Sequence, residues 1–116
     1  MLNNENMKFR KNIIKIKLRN FFYWEKGGHK KETIVLLHGF PGNHMGLIDV
    51  ANNLGSDYRI IVPDFPACGE SESLQEKHSL KNYADWLNLF LKSLNIKKGI
   101  IRLLVNIGQL TKQIPM

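Results

Sequence analysis

A single cysteine, Cys68, stands among the 116 residues, so no internal disulfide can form. That usage suits a reducing compartment. No run approaches the ~18 apolar residues of a membrane span, and the purest, Thr33 to Leu37, is far too short. The first residues (MLNNENMKFRKNII) contain no apolar core of a secretory signal. A soluble cytoplasmic protein is the expectation. There is no internal repeat, and 43% hydrophobic with 23% charged residues excludes wholesale disorder. The length holds one small domain rather than two. One further lack matters most: after Leu94 the chain contains no Ser, Cys, His or Asp.

The net charge of +7 is unevenly spread. Residues 1 to 31 carry nine Lys/Arg against two Glu, and residues 32 to 116 carry eight of each sign. A basic segment can bind nucleic acid or an anionic membrane. However, Ile14, Ile16 and Leu18 alternate with Lys15, Lys17 and Arg19, the pattern of a half-buried strand whose lysines discourage edge pairing. No RNA-binding signature accompanies them, so nucleic acid is not an expected partner.

Residues 1 to 12 read as a basic lead-in. Residues 13 to 25 read as a hairpin closed near Arg19 and Asn20. Thr33 to Leu37 is a β-branched run without polar interruption, as in a strand buried on both faces. Leu47, Val50, Ala51 and Leu54 then recur at helical intervals, with Gly55 as a stop. Arg59 to Val62 forms a second short apolar run before Pro63-Asp64. Strand, helix and strand within thirty residues make a βαβ unit with parallel strands. Ser79 is a good N-cap for a helix whose apolar face is Leu80, Tyr83, Ala84, Leu87, Phe90, Leu91 and Leu94. Gly99 to Val105 can supply a third parallel strand. The fold class is α/β, an antiparallel hairpin leading into an incomplete parallel sheet.

In open α/β sheets ligands bind beyond the carboxyl ends of the strands. Two glycine-bearing loops, His38–Gly42 and Asp64–Ser71, leave that edge. A loop of the form HGFPG after a buried strand can turn a backbone N–H toward a reacting oxygen, half of an oxyanion hole. The runs IVLLHGFPG, YRIIVPDFPACGES and HSLKNYADWLNLFLKSLNIKK, in this order, resemble the front of an α/β-hydrolase. The nearest subgroup holds small esterases, haloalkane-type dehalogenases, proline iminopeptidases and carbon–carbon bond hydrolases. The resemblance covers residues 13 to 98 and implies hydrolysis of an ester, amide or related bond in a small-molecule substrate, without a cofactor. It implies that Phe40 donates an oxyanion N–H and that His38, Gly39, Pro41 and Gly42 shape the binding loop. It also implies a second loop D-x-x-G-x-G-x-S at Asp64 to Ser71, where Ala67 replaces the first glycine.

The family's G-x-S-x-G nucleophile turn is expected a few residues past Lys98. Residues 99 to 116 read instead as an off-pattern tail in which Thr111 is the only hydroxyl. Nucleophile, acid and base are all missing from the chain, as a frameshift or early stop after about Lys98 would leave them. Such a chain is expected to be inactive alone and to self-associate through an unpaired strand edge. The alternatives are a non-catalytic binding module that keeps the oxyanion loop, and a basic nucleic-acid or membrane-surface binder. Gly69-Glu70-Ser71-Glu72-Ser73 begins like a nucleophile motif but falls in the second loop. His38, His44 and Asp64 lack a recognised metal spacing, and no metal site is expected.

Overall fold

In the computed structural model, which describes residues 8–28, 32–39, 43–54, 57–96 and 101–105, the apolar runs become a five-stranded sheet. Its strands are β1 (Arg10–Ile16), β2 (Arg19–Lys26), β3 (Thr33–Leu37), β4 (Arg59–Pro63) and β5 (Ile101–Val105), in the order β1-β2-β4-β3-β5. The hairpin partners β1 and β2 are antiparallel, as are β2 and β4. β3 lies parallel between β4 and β5. Every residue of β3 is buried, because helices or strands close it on all sides.

The hairpin turns at Lys17 and Leu18, two residues earlier than its sequence suggests. Both take left-handed conformations, φ 50° and 68°, and Ile16 pairs with Arg19 across them. That is the geometry of a two-residue turn whose twist matches the strands, normally occupied by Asn-Gly. Side-chain type therefore hid the turn. Strand β1 already begins at Arg10, inside the stretch read as a lead-in. Lys11, Lys15 and Lys17 are exposed, as an edge strand requires, and Lys11 and Lys17 form ion pairs with Glu70 and Glu76.

Helix α1 (Met45–Asn52) covers one sheet face and α2 (Leu80–Ser93) the other. Ala51 packs fully on Ile34, Leu36, Ile60 and Val62, with Leu47, Ile48 and Leu54 beside it. Val50, expected on that inner face, is exposed; Ile48 takes its place. At α2 the Ser79 hydroxyl accepts the Asn82 N–H at 3.1 Å, the expected cap. Below it Trp86, Leu87, Phe90 and Leu91 are buried against Phe21, Tyr23, Val35 and Ile61. Phe21 meets Trp86 edge-on at 5.3 Å and Tyr23 meets Phe90 at 5.4 Å, so the hairpin and α2 share one aromatic layer. The expected third parallel strand is present: β5 pairs with the whole of β3, from Thr33–Ile101 to Leu37–Val105.

Candidate active-site loops

Because β3 and β4 are parallel, His38 and Asp64, the first residues beyond each strand, emerge at the same edge. Both are buried. His38 Nε2 accepts the Phe65 N–H at 3.0 Å, and its Nδ1–H donates to the Gly39 carbonyl at 2.8 Å. The ring also meets Phe65 edge-on at 4.9 Å. Burial holds its pKa below the usual histidine value, against the Gly39 bond and the nearby Asp64 charge, which favour protonation. The neutral ring with hydrogen on Nδ1 satisfies both bonds at once. Its nitrogens are spent on backbone, so His38 is a brace between the loops and neither base nor ligand.

The return brace comes from Asp64. Its Oδ1 accepts the His44 N–H at 2.7 Å, and its carboxylate pairs with His44 Nδ1 at 3.1 and 3.2 Å. Trp24 of β2 lies flat on the His44 ring, centroids 3.4 Å apart. The β4 loop therefore grips the first loop at both ends, through Phe65 at His38 and Asp64 at His44. Gly39 follows the first brace, while Phe40, Pro41 and Gly42 lie outside the described residues. A histidine held by a buried carboxylate is the layout of a general base. Among the described residues, however, no hydroxyl or thiol hydrogen-bonds to His44.

The second loop is built for this grip. Ser71 accepts the Phe22 N–H and donates to the Asp64 carbonyl, both at 2.9 Å. That buried, doubly engaged hydroxyl ties the loop to β2 and is no nucleophile. Ala67 adopts φ 64°, the left-handed conformation that its missing glycine would accept more readily. Gly69, at φ 54°, sits so close that a Cβ there would lie 2.1 Å from Asp64 Oδ2. No group of three His, Cys, Asp or Glu side chains able to hold a metal occurs among the described residues. The bond between His44 and Asp64 and the bridge at Ser71 are not visible in residue spacing. The available hint was an acid directly after a buried strand, with glycine five positions on.

This strand order, with paired loops at the carboxyl edge of β3 and β4, coincides with a match to the alpha/beta hydrolase fold over residues 32–101. The chain belongs to the α/β-hydrolase fold family. It is similar to the uncharacterized hydrolase YNR064C of Saccharomyces cerevisiae, 32% identical over 78 residues, covering 66% of this chain and 27% of that one. It is also similar to the cis-3-alkyl-4-alkyloxetan-2-one decarboxylase of Shewanella oneidensis, 33% identical over 72 residues, with 60% and 23% covered. The haloalkane dehalogenase DbeA of Bradyrhizobium elkani superposes with a TM-score of 0.77 over 84% of this chain and 33% of that structure. At 18% identity that likeness speaks for the fold alone. The chain spans about a quarter of the length of the curated relatives it matches. Among the described residues, no helix is long and apolar enough to cross a membrane.

Proposed function

We propose that this chain is the front of an α/β-hydrolase catalytic domain and contributes the oxyanion side of its site. The family's chemistry is hydrolysis of an ester, amide or related bond in a small molecule. In this reading the Phe40 N–H donates to the substrate oxygen as it gains charge, and His38, Gly39, Pro41 and Gly42 form the loop around it. A fixed donor stabilises charge that develops only in the transition state, and fixing is what such a donor needs. The observation that carries the reading is the double brace, His38 to Phe65 and Asp64 to His44, which pins both ends of the segment holding Phe40.

Nucleophile, acid and base would come from residues beyond those of this chain. A hydroxyl without a base is a poor nucleophile at neutral pH, so the chain alone is inactive. The edge of β5 away from β3 has no partner among the described residues, and there the isolated chain would self-associate. Cys68 as a free thiol suits the cytoplasm. The test is a pair of assays with p-nitrophenyl acetate and butyrate. The 116-residue chain should show no turnover above buffer. A chimera in which residues 8–105 replace the matching front of an esterase of this family should hydrolyse both esters. Turnover by the isolated chain, or a folded chimera without esterase activity, refutes the proposal.

A further inference from the structure

Between the hairpin turn and the start of α2 lies a cavity of about 80 Å³ that shares no residue with the braced loops. Its floor is apolar, formed by Ile16, Phe21, Leu74, Trp86 and Leu89. Two carboxylates, Glu76 and Asp85, and two cations, Lys17 and Arg19, stand on its wall. Both carboxylates are exposed and already hold a countercharge, Glu76 with Lys17 at 3.3 Å and Asp85 with Lys81 at 3.0 Å. Arg19 differs, being half-buried and without an ion-pair partner among the described residues.

Two neighbours place its guanidinium at the cavity. Nη1 donates to Ser73 Oγ at 3.4 Å, and Ser73 is itself a wall residue. Its field also reaches Glu76, whose carboxyl lies below its usual pKa first through its own backbone N–H, then through Lys17, and least through Arg19. With Lys81 included, three cations face two carboxylates, and the surplus charge belongs to Arg19. A carboxylate fits a guanidinium fork with two parallel charge-assisted bonds. The apolar floor beside it favours an anion that carries hydrocarbon over a small hydrophilic one. We propose that this cavity binds a short-chain carboxylic acid in its ionised form, with the carboxylate on Arg19 and the tail against Phe21, Leu74 and Leu89. The volume gives room for about six water-sized groups, the size of butanoate. The site is separate from the proposed catalytic loops.

The probe is sodium butanoate, titrated into the full chain at constant ionic strength. Saturation transfer from the protein to the butanoate methyl group reads binding whatever the association state of the chain. The signal should saturate with a dissociation constant in the low-millimolar range. Two controls separate the halves of the ligand: 1-butanol keeps the tail without the charge, and acetate keeps the charge without most of the tail. Each should bind at least about fivefold more weakly. Arg19→Gln should weaken butanoate about tenfold or more while leaving 1-butanol unchanged. Leu74→Phe fills the cavity and should abolish binding of both, with circular dichroism confirming that each variant folds. A butanoate signal that does not saturate by about 50 mM would overturn the proposal, since contacts this weak mark no site. So would equal binding by 1-butanol or acetate, or an unchanged butanoate affinity in Arg19→Gln or in folded Leu74→Phe.

Discussion

Gly69 offers a measurement in which backbone strain and steric clash can be separated. A Cβ at this position would sit 2.1 Å from Oδ2 and 2.6 Å from Cγ of Asp64. The carboxylate cannot step aside cheaply, because Asp64 is fully buried and holds the His44 N–H at 2.7 Å. Gly28 has the same left-handed backbone, φ 59° against 54°, yet among the described residues nothing lies within 4 Å of a Cβ built there. Gly28→Ala therefore reports backbone alone: about 1–2 kcal/mol of left-handed strain, less about 0.4–1 from the stiffer unfolded chain, a net loss of about 1. Gly69→Ala adds displacement of a charge-assisted hydrogen bond, about 1.5–3 kcal/mol, for a total of about 2.5–4. Urea unfolding followed by tryptophan fluorescence reads the difference. With a slope near 1.5 kcal/mol per molar, the Gly69→Ala midpoint should lie about 1–2 M below that of Gly28→Ala. Ala67→Gly, at φ 64°, should move the opposite way by about 1 kcal/mol. Coincident midpoints for the two alanine variants would refute the clash, and with it the claim that Asp64 is locked in place.

Two further tests address the hairpin and His38. Replacing Lys17-Leu18 with Asn-Gly keeps the turn while removing left-handed strain at two residues, and removes a leucine that is 84% exposed. A gain of about 1–2 kcal/mol is expected in the same urea assay, and a loss would mean that the turn geometry is wrong. The His38 pKa is lowered in the fold, so the unfolded chain binds the proton more tightly. The stabilisation from the neutral ring is thus complete above the unfolded value near 6.5 and is lost as pH falls through the folded value. Stability should decline below about pH 6.5 in the native chain, and His38→Gln should flatten that part of the profile. An unchanged profile in His38→Gln would show that other groups set it.

Much of the framework was legible because local pattern and tertiary demand agree. The unbroken run Thr33–Leu37 can be satisfied only by burial on both faces, and it lies between two strands. Ser79 caps α2 because its hydroxyl has a free helix N–H within reach, a purely local fact. Where the two levels diverge, reading fails. Lys17 and Leu18 show no turn chemistry, and the twist of the paired strands imposes their conformation. Val50 fits a helical period, but α1 is short and Ile48 reaches the sheet instead. In the candidate site, the loop positions follow from strand order, so His38 and Asp64 could be placed at one edge. Their bonds could not, because Asp64 to His44 and Ser71 to Phe22 join residues far apart in sequence. Phe40, Pro41 and Gly42 rest on family resemblance and remain part of the proposal.

The strand order has a consequence for synthesis. β3 is made early, and one of its edges is closed soon afterwards when β4 follows α1. Its other edge waits for β5, so that Thr33 meets Ile101 only after the residues between them have left the ribosome. For that interval the most apolar strand of the sheet presents a row of unsatisfied backbone groups, a template for pairing with a neighbouring nascent chain. Substitutions in residues 101–105 that weaken strand formation should therefore register first as chaperone dependence and lost yield.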